Sequence, residues 1–93
     1  MISVVIPTYN EAENIKKIIL KIDYSLKNYD YKIIVVDDNS PDGTGQIADD
    51  FSRKYPVKVI HRNKNKGYGE ACKEGFRFAI RNSAPHGLQR LIR

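Results

Sequence analysis

Asp37 and Asp38 stand side by side after an unbroken β-branched run, Ile33-Ile34-Val35-Val36, and lead into Asn39-Ser40-Pro41-Asp42-Gly43-Thr44. An apolar run without alternation reads as a strand buried on both faces, the habit of a parallel sheet. In open α/β sheets ligands bind beyond the carboxyl ends of the strands, so the two acids lie where a site is expected. Carboxylates this close repel each other, and something positive or hydrogen-bonding must compensate. A divalent metal, a ribose hydroxyl or a base N–H would serve. In the competing reading one Asp caps the loop and the other faces solvent. Ser40-Pro41-Asp42-Gly43 is turn chemistry, and Thr44 is placed to cap the helix that follows.

Two further strings could carry chemistry. In Pro7-Thr8-Tyr9-Asn10-Glu11, Tyr9 could stack on a base and Glu11 could accept from ribose or base donors. The alternative is a capping loop with a surface tyrosine. Residues 61–69 interleave His61, Arg62, Lys64, Lys66 and Tyr68. They could track phosphates or form a solvated basic loop, with equal weight. Tyr68 alone is too little aromatic surface for a single-strand platform, so no nucleic-acid partner is expected. His61 has no second ligand at metal-binding spacing. Gly43-Thr44-Gly45-Gln46-Ile47-Ala48 matches a dinucleotide fingerprint only formally. Its glycines come late after the strand, and the next strand end reads His61-Arg62-Asn63 where an acid is required. The same basic stretch excludes the acidic pocket of a phospho-receiver domain.

The elements that must position these groups follow from periodicity. Residues 2–6 read as a strand ended by Pro7. Asn10 is placed as an N-cap, with Glu13 closing a capping box. Ile15, Ile18, Ile19, Ile22 and Leu26 form the stripe of a helix running to about Lys27. Residues 32–36 form the second strand. A helix from Thr44 carries Ile47, Phe51 and Tyr55 on one face and stops at Pro56. Residues 57–60 form a third strand, with Lys58 marking a less covered face. A third helix turns Ala71, Cys72, Gly75, Phe76, Ala79 and Ile80 inward. The order β-α-β-α-β-α predicts an α/β fold, a Rossmann-like three-layer sandwich around an open, mainly parallel sheet. Residues 81–93 hold three arginines and no acid. No strand or useful helix is read there. The expected division is residues 1–80 as the domain and 81–93 as a poorly packed basic tail.

Bulk composition sets wider limits. The 93 residues suit one small domain, and 41% hydrophobic with 29% charged residues describes a globular chain. The net charge of +5 favours anionic partners such as nucleotide phosphates, or simply a solvated basic face. The single cysteine, Cys72, is expected in the core, in a reducing compartment. No basic segment leads an apolar stretch at Met1, so no signal peptide is read. No apolar run approaches the roughly 20 residues of a membrane span. A cytoplasmic protein is expected, a peripheral place at the membrane face being the alternative.

Taken together, two strings resemble the family-2 glycosyltransferases: Val4-Val5-Ile6-Pro7-Thr8-Tyr9-Asn10-Glu11-Ala12-Glu13-Asn14-Ile15 and Ile34-Val35-Val36-Asp37-Asp38-Asn39-Ser40-Pro41-Asp42-Gly43-Thr44. The dolichol-phosphate mannosyltransferase subgroup is the nearest likeness. Arg62, Asn65, Gly67, Ala71 and Gly75-Phe76 continue the pattern, which covers residues 1 to about 80. The resemblance implies a GT-A fold binding a GDP- or UDP-linked sugar. It implies an inverting enzyme that transfers mannose or glucose to a polyprenyl or dolichyl phosphate. Pro7, Tyr9 and Glu11 match the first nucleotide-binding loop, and Val36 and Asp38 match the residues holding base and ribose. Asp37 matches an acid that braces the loop. The family uses a divalent metal, Mg or Mn, on an Asp-x-Asp strand end. Here Gly87-Leu88-Gln89-Arg90-Leu91-Ile92-Arg93 takes that place, and no aspartate follows Asp50. Neither metal ligands nor a catalytic residue can therefore be assigned, and the chain is expected to be a truncated form, inactive alone. A second chain could supply the remainder. Otherwise the first strand, lacking a neighbour, would be an exposed edge prone to self-association. The alternative function is a non-enzymatic anion-binding or partner module, or an inactive relic.

Overall fold

The computed structural model describes residues 1–63, 67–82 and 88–91. The elements are β1 (Ile2–Thr8), α1 (Ala12–Leu26), β2 (Tyr31–Asp37), α2 (Thr44–Ser52), β3 (Val57–His61), α3 (Tyr68–Asn82) and β4 (Leu88–Leu91). The strands lie in the order β3-β2-β1-β4, and every neighbouring pair is parallel. This is the three-layer α/β architecture that the periodicity predicts.

Alternation along the strands divides the core in two. Val4, Ile6, Ile33, Val35 and Val57 turn to one face, where Ile15 and Ile19 of α1 and Ala48 of α2 cover them. Val5, Ile34 and Val36 turn to the other, beneath Ala71 and Ala79 of α3. Ile6, Ile15, Ile19, Ile33 and Ile34 are fully buried, each worth roughly 1.5–3 kcal/mol relative to exposure. Cys72 is buried as expected. Lys58 is exposed on β3, and its Nζ lies 5.9 Å from the Phe78 ring centre. Ile80, expected inside, is 65% exposed on α3.

Gly75 has no room for a side chain. A Cβ there would fall 2.3 Å from Val5 Cγ1 and 3.1 Å from Val36 Cγ2. The missing side chain is what lets α3 rest directly on β1 and β2.

Three local expectations are corrected. β1 does not end at Pro7 but runs through it to Thr8. Ile2 N–H bonds to Asp30 and Thr8 C=O accepts from Asp38 N–H, so the even residues of β1 face β2. Pro7 therefore directs its missing donor toward β4, whose described pairing ends at Val5↔Leu91. No ladder bond of that pairing is lost. Asn10 is not the N-cap of α1. It sits at φ 55, and the cap position belongs to Glu11. Thr44 does not cap α2 either, since Gly43 holds that position at φ 92.

The largest correction concerns residues 88–91 of the expected tail, whose residues 83–87 and 92–93 lie outside the described residues. Leu88–Leu91 form a strand that pairs with Ile2–Val5. Strand addition works through backbone groups, so Gln89 and Arg90 do not prevent it. Ser3-Val4-Val5-Ile6 is consequently central, between β2 and β4. Self-association through an exposed first strand loses its basis.

Candidate functional site

The period of a strand sends adjacent residues to opposite faces, and this settles the fate of the acid pair. Asp37 turns to the α1/α2 face. Its Oδ1 accepts from Thr8 Oγ1 (3.1 Å) and Ser40 Oγ (2.6 Å), and its Oδ2 from Ser40 N–H (3.1 Å). A Cβ on Gly45 would lie 3.0 Å from Asp37 Oδ2, so α2 closes tightly over it. Asp37 braces the loop, as its position in the motif implies.

Asp38 turns to the α3 side and meets charge. Its Oδ2 accepts from Gly67 N–H at 3.1 Å, and its Oδ1 lies 2.9 Å from Arg62 Nε. Both side chains are almost wholly buried, at 5% and 3% exposure. The N–H is not aimed along that line. Among the described residues, Asp38 Oδ1, Arg62 Nε and Arg62 Nη1 have no aligned hydrogen-bond partner, and the Oδ1–Nε contact is an ion pair alone. Buried polar atoms in this condition are uncommon. Parallel pairing places Asp37 opposite His61, which brings the next residues, Asp38 and Arg62, together. Arg62 is therefore no part of a solvated loop. Lys64 and Lys66 lie outside the described residues.

The β1–α1 loop is held from outside itself. Asn10 N–H donates to Ser40 Oγ, Glu11 N–H to Thr44 Oγ1 and Ala12 N–H to Asp42 Oδ2, each at 3.0 Å. The β2–α2 loop thus supplies the acceptors for amides at the start of α1. Asp42 also accepts from Thr44 N–H (3.1 Å) and from the Thr44 hydroxyl. The Thr44 hydrogen bond, foremost, and then the amides hold the Asp42 carboxyl below its usual pKa.

Between these loops and α3 opens a cleft of about 260 Å³, lined by Pro7, Thr8, Tyr9, Glu11, Asp38, Tyr68 and Ala71. Pro7, Tyr9, Glu11 and Asp38 were singled out from sequence, and the fold brings them together. Val36 was too, but its side chain is fully buried under α3 and lies outside the cleft lining. Its carbonyl oxygen lies 3.4 Å from Thr8 Oγ1, the more distant of that hydroxyl's two acceptors. Thr8, Ala71 and the role of Arg62 were missed. The strand register, Asp37 beside His61, was the signal that could have found Arg62. Larger depressions of about 420 and 1030 Å³ lie on the outer surfaces of α1 and α2. They lack the buried charged groups that mark the cleft.

His61 does have an acid partner. Its Nε2 lies 3.0 and 2.9 Å from the two carboxylate oxygens of Asp49, at the surface. Among the described residues no three His, Cys, Asp or Glu side chains gather as metal ligands would. No described helix is long and apolar enough to cross a membrane.

Residues 3–81 match the model of "Glycosyl transferase family 2". The chain is 51% identical over 78 residues to a dolichol-phosphate mannosyltransferase of Pyrococcus furiosus, covering 84% of this chain and 22% of that protein. It is 42% identical to a polyprenol monophosphomannose synthase of Mycolicibacterium smegmatis, covering 96% and 38%. Among solved structures, a mannosyltransferase of Pyrobaculum calidifontis in complex with GDP-Man and Mn2+ superposes with a TM-score of 0.71 at 27% identity, over 84% of this chain and 24% of that one. TarS of S. aureus gives 0.67 at 26%, over 97% and 26%. The chain spans well under half the length of each of these relatives.

Proposed function

The chain belongs to glycosyl transferase family 2, and we propose that it forms the nucleotide-sugar-binding part of an inverting enzyme acting on a polyprenyl phosphate. The sugar is mannose or glucose, carried on GDP or UDP. The observation that carries this reading is the buried carboxylate of Asp38, in a cleft it shares with Tyr9 and Glu11, with one oxygen short of an aligned donor among the described residues. Tyr9 is 45% exposed at the rim and offers a face for a base. Glu11 and Asp38 accept from base N–H or ribose hydroxyl groups. The relatives' names and the GDP-Man complex support the substrate class.

The divalent metal implied by the family does not fit the described residues. The charge of Asp38 is already balanced by Arg62, Glu11 is the remaining carboxylate of the cleft lining, and no third ligand stands with them among the described residues. The proposed activity of these residues is binding. The rival reading, an anion-binding basic loop, is weakened because Arg62 is buried against Asp38.

Calorimetric titration with GDP and UDP tests the proposal. One of them should bind weakly. Base–aromatic stacking is worth about 1–3 kcal/mol, so Tyr9→Ala should lose about 5- to 150-fold in affinity with an unchanged melting temperature. Glu11→Gln should also weaken binding. Absence of binding by the unmodified chain, or equal binding by both variants, overturns the reading.

A further inference from the structure

We infer that Asp42 and Thr44, which do not line the cleft, are positioning residues that fix Tyr9 and Glu11 in their nucleotide-binding arrangement. The inference rests on the nucleotide reading above. Asn10, Glu11 and Ala12 are consecutive, and each presents its amide to a side chain about 30 residues further along. Helix starts leave such amides without intrahelical partners, and the side chain at the cap position of α1 makes no capping bond.

Thr44 is fully buried. Its hydroxyl has one proton, donated to Asp42, while a lone pair accepts from Glu11 N–H. Asp42 is exposed, yet its carboxylate joins the first amides of two helices, Ala12 of α1 and Thr44 of α2. Tyr9 and Glu11 flank Asn10, which stands in the left-handed region. Their aim into the cleft is thus set by where the Asn10, Glu11 and Ala12 amides are anchored. Asp42 and Thr44 hold the second and third of these.

The test combines amide hydrogen exchange by NMR with GDP and UDP titrations on Thr44→Val, Thr44→Ser and Asp42→Ala chains. In Thr44→Val the Glu11 amide should exchange at least about tenfold faster, and in Asp42→Ala the Ala12 amide likewise. The amides of Ile34 and Val36 in β2 should keep their rates. Nucleotide affinity should fall about 5- to 10-fold in both variants, and Thr44→Ser should restore it. Asp42→Ala serves should the buried Thr44→Val chain fail to fold. Unchanged affinity alongside faster loop exchange overturns the inference. So does a uniform rise that includes β2, which would mean general destabilisation alone. If the unmodified chain binds neither nucleotide, the functional reading falls and takes this one with it. If it binds and the variants bind equally, only this one falls.

Discussion

The two sides of the sheet treat neighbouring aspartates in opposite ways. On the α1/α2 side, Asp37 is held by hydroxyls and an amide from its own vicinity, Thr8 at the end of β1 and Ser40 in the β2–α2 loop. On the α3 side, Asp38 depends on a buried guanidinium from β3's end and one glycine amide. Identical chemistry one residue apart therefore becomes a brace on one face and an arginine-paired carboxylate in a cleft wall on the other. The difference arises from strand alternation and from what each face has to offer, not from the carboxylate itself.

The sharpest way to break this contrast is to remove the counter-charge. Arg62→Ala leaves Asp38 buried and unpaired and should cost about 3–5 kcal/mol, read as a lower urea midpoint. Asp37→Ala should cost less, about 1–3 kcal/mol for hydrogen-bonding groups left without an acceptor. Equal losses in the two denaturation curves would erase the distinction. The smallest effect belongs to Asp42. Its folded pKa is depressed below the ordinary 3.8, so its contribution is complete above that value and lost as the pH falls through the lower folded one. Because Asp42 is exposed, solvent screening keeps the effect small. An acid melt of Asp42→Asn beside the parent chain should show the parent losing its small advantage only below about pH 3.8.

Much of this was legible in advance. The runs at residues 2–6, 32–36 and 57–60 announce parallel strands, because each is apolar on both faces or nearly so. The stripe from Ile15 to Leu26 could serve nothing but a helix on a sheet. Tyr9, Glu11 and Asp38 converge because strand ends in such a sheet share one edge. What escaped was made through space. Leu88–Leu91 carry no strand pattern, since a short added strand is held by backbone bonds. Asn10 reads as a cap until its φ of 55 is known, and nothing local says that the caps of α1 come from residues 40–44. Arg62 reads equally as a phosphate contact or a solvated cation, because a one-dimensional pattern does not show which carboxylate stands beside it on the next strand. Ile80 fits the apolar stripe of α3, yet it lies near the helix end and is left in solvent.

The missing side chain at Gly75 has a consequence for how the cleft is gauged. Ala71, in the cleft wall, stands about one helical turn before Gly75 on the same face. Where Gly75 touches Val5 and Val36 the helix has no slack, so that wall is seated like a fixed jaw against the strands. The opposite jaw, Tyr9 to Glu11, hangs on hydrogen bonds between loops. One wall of the cleft is thus held by packing and the other by hydrogen bonds, so crowding at Gly75 would displace the first and leave the second in place.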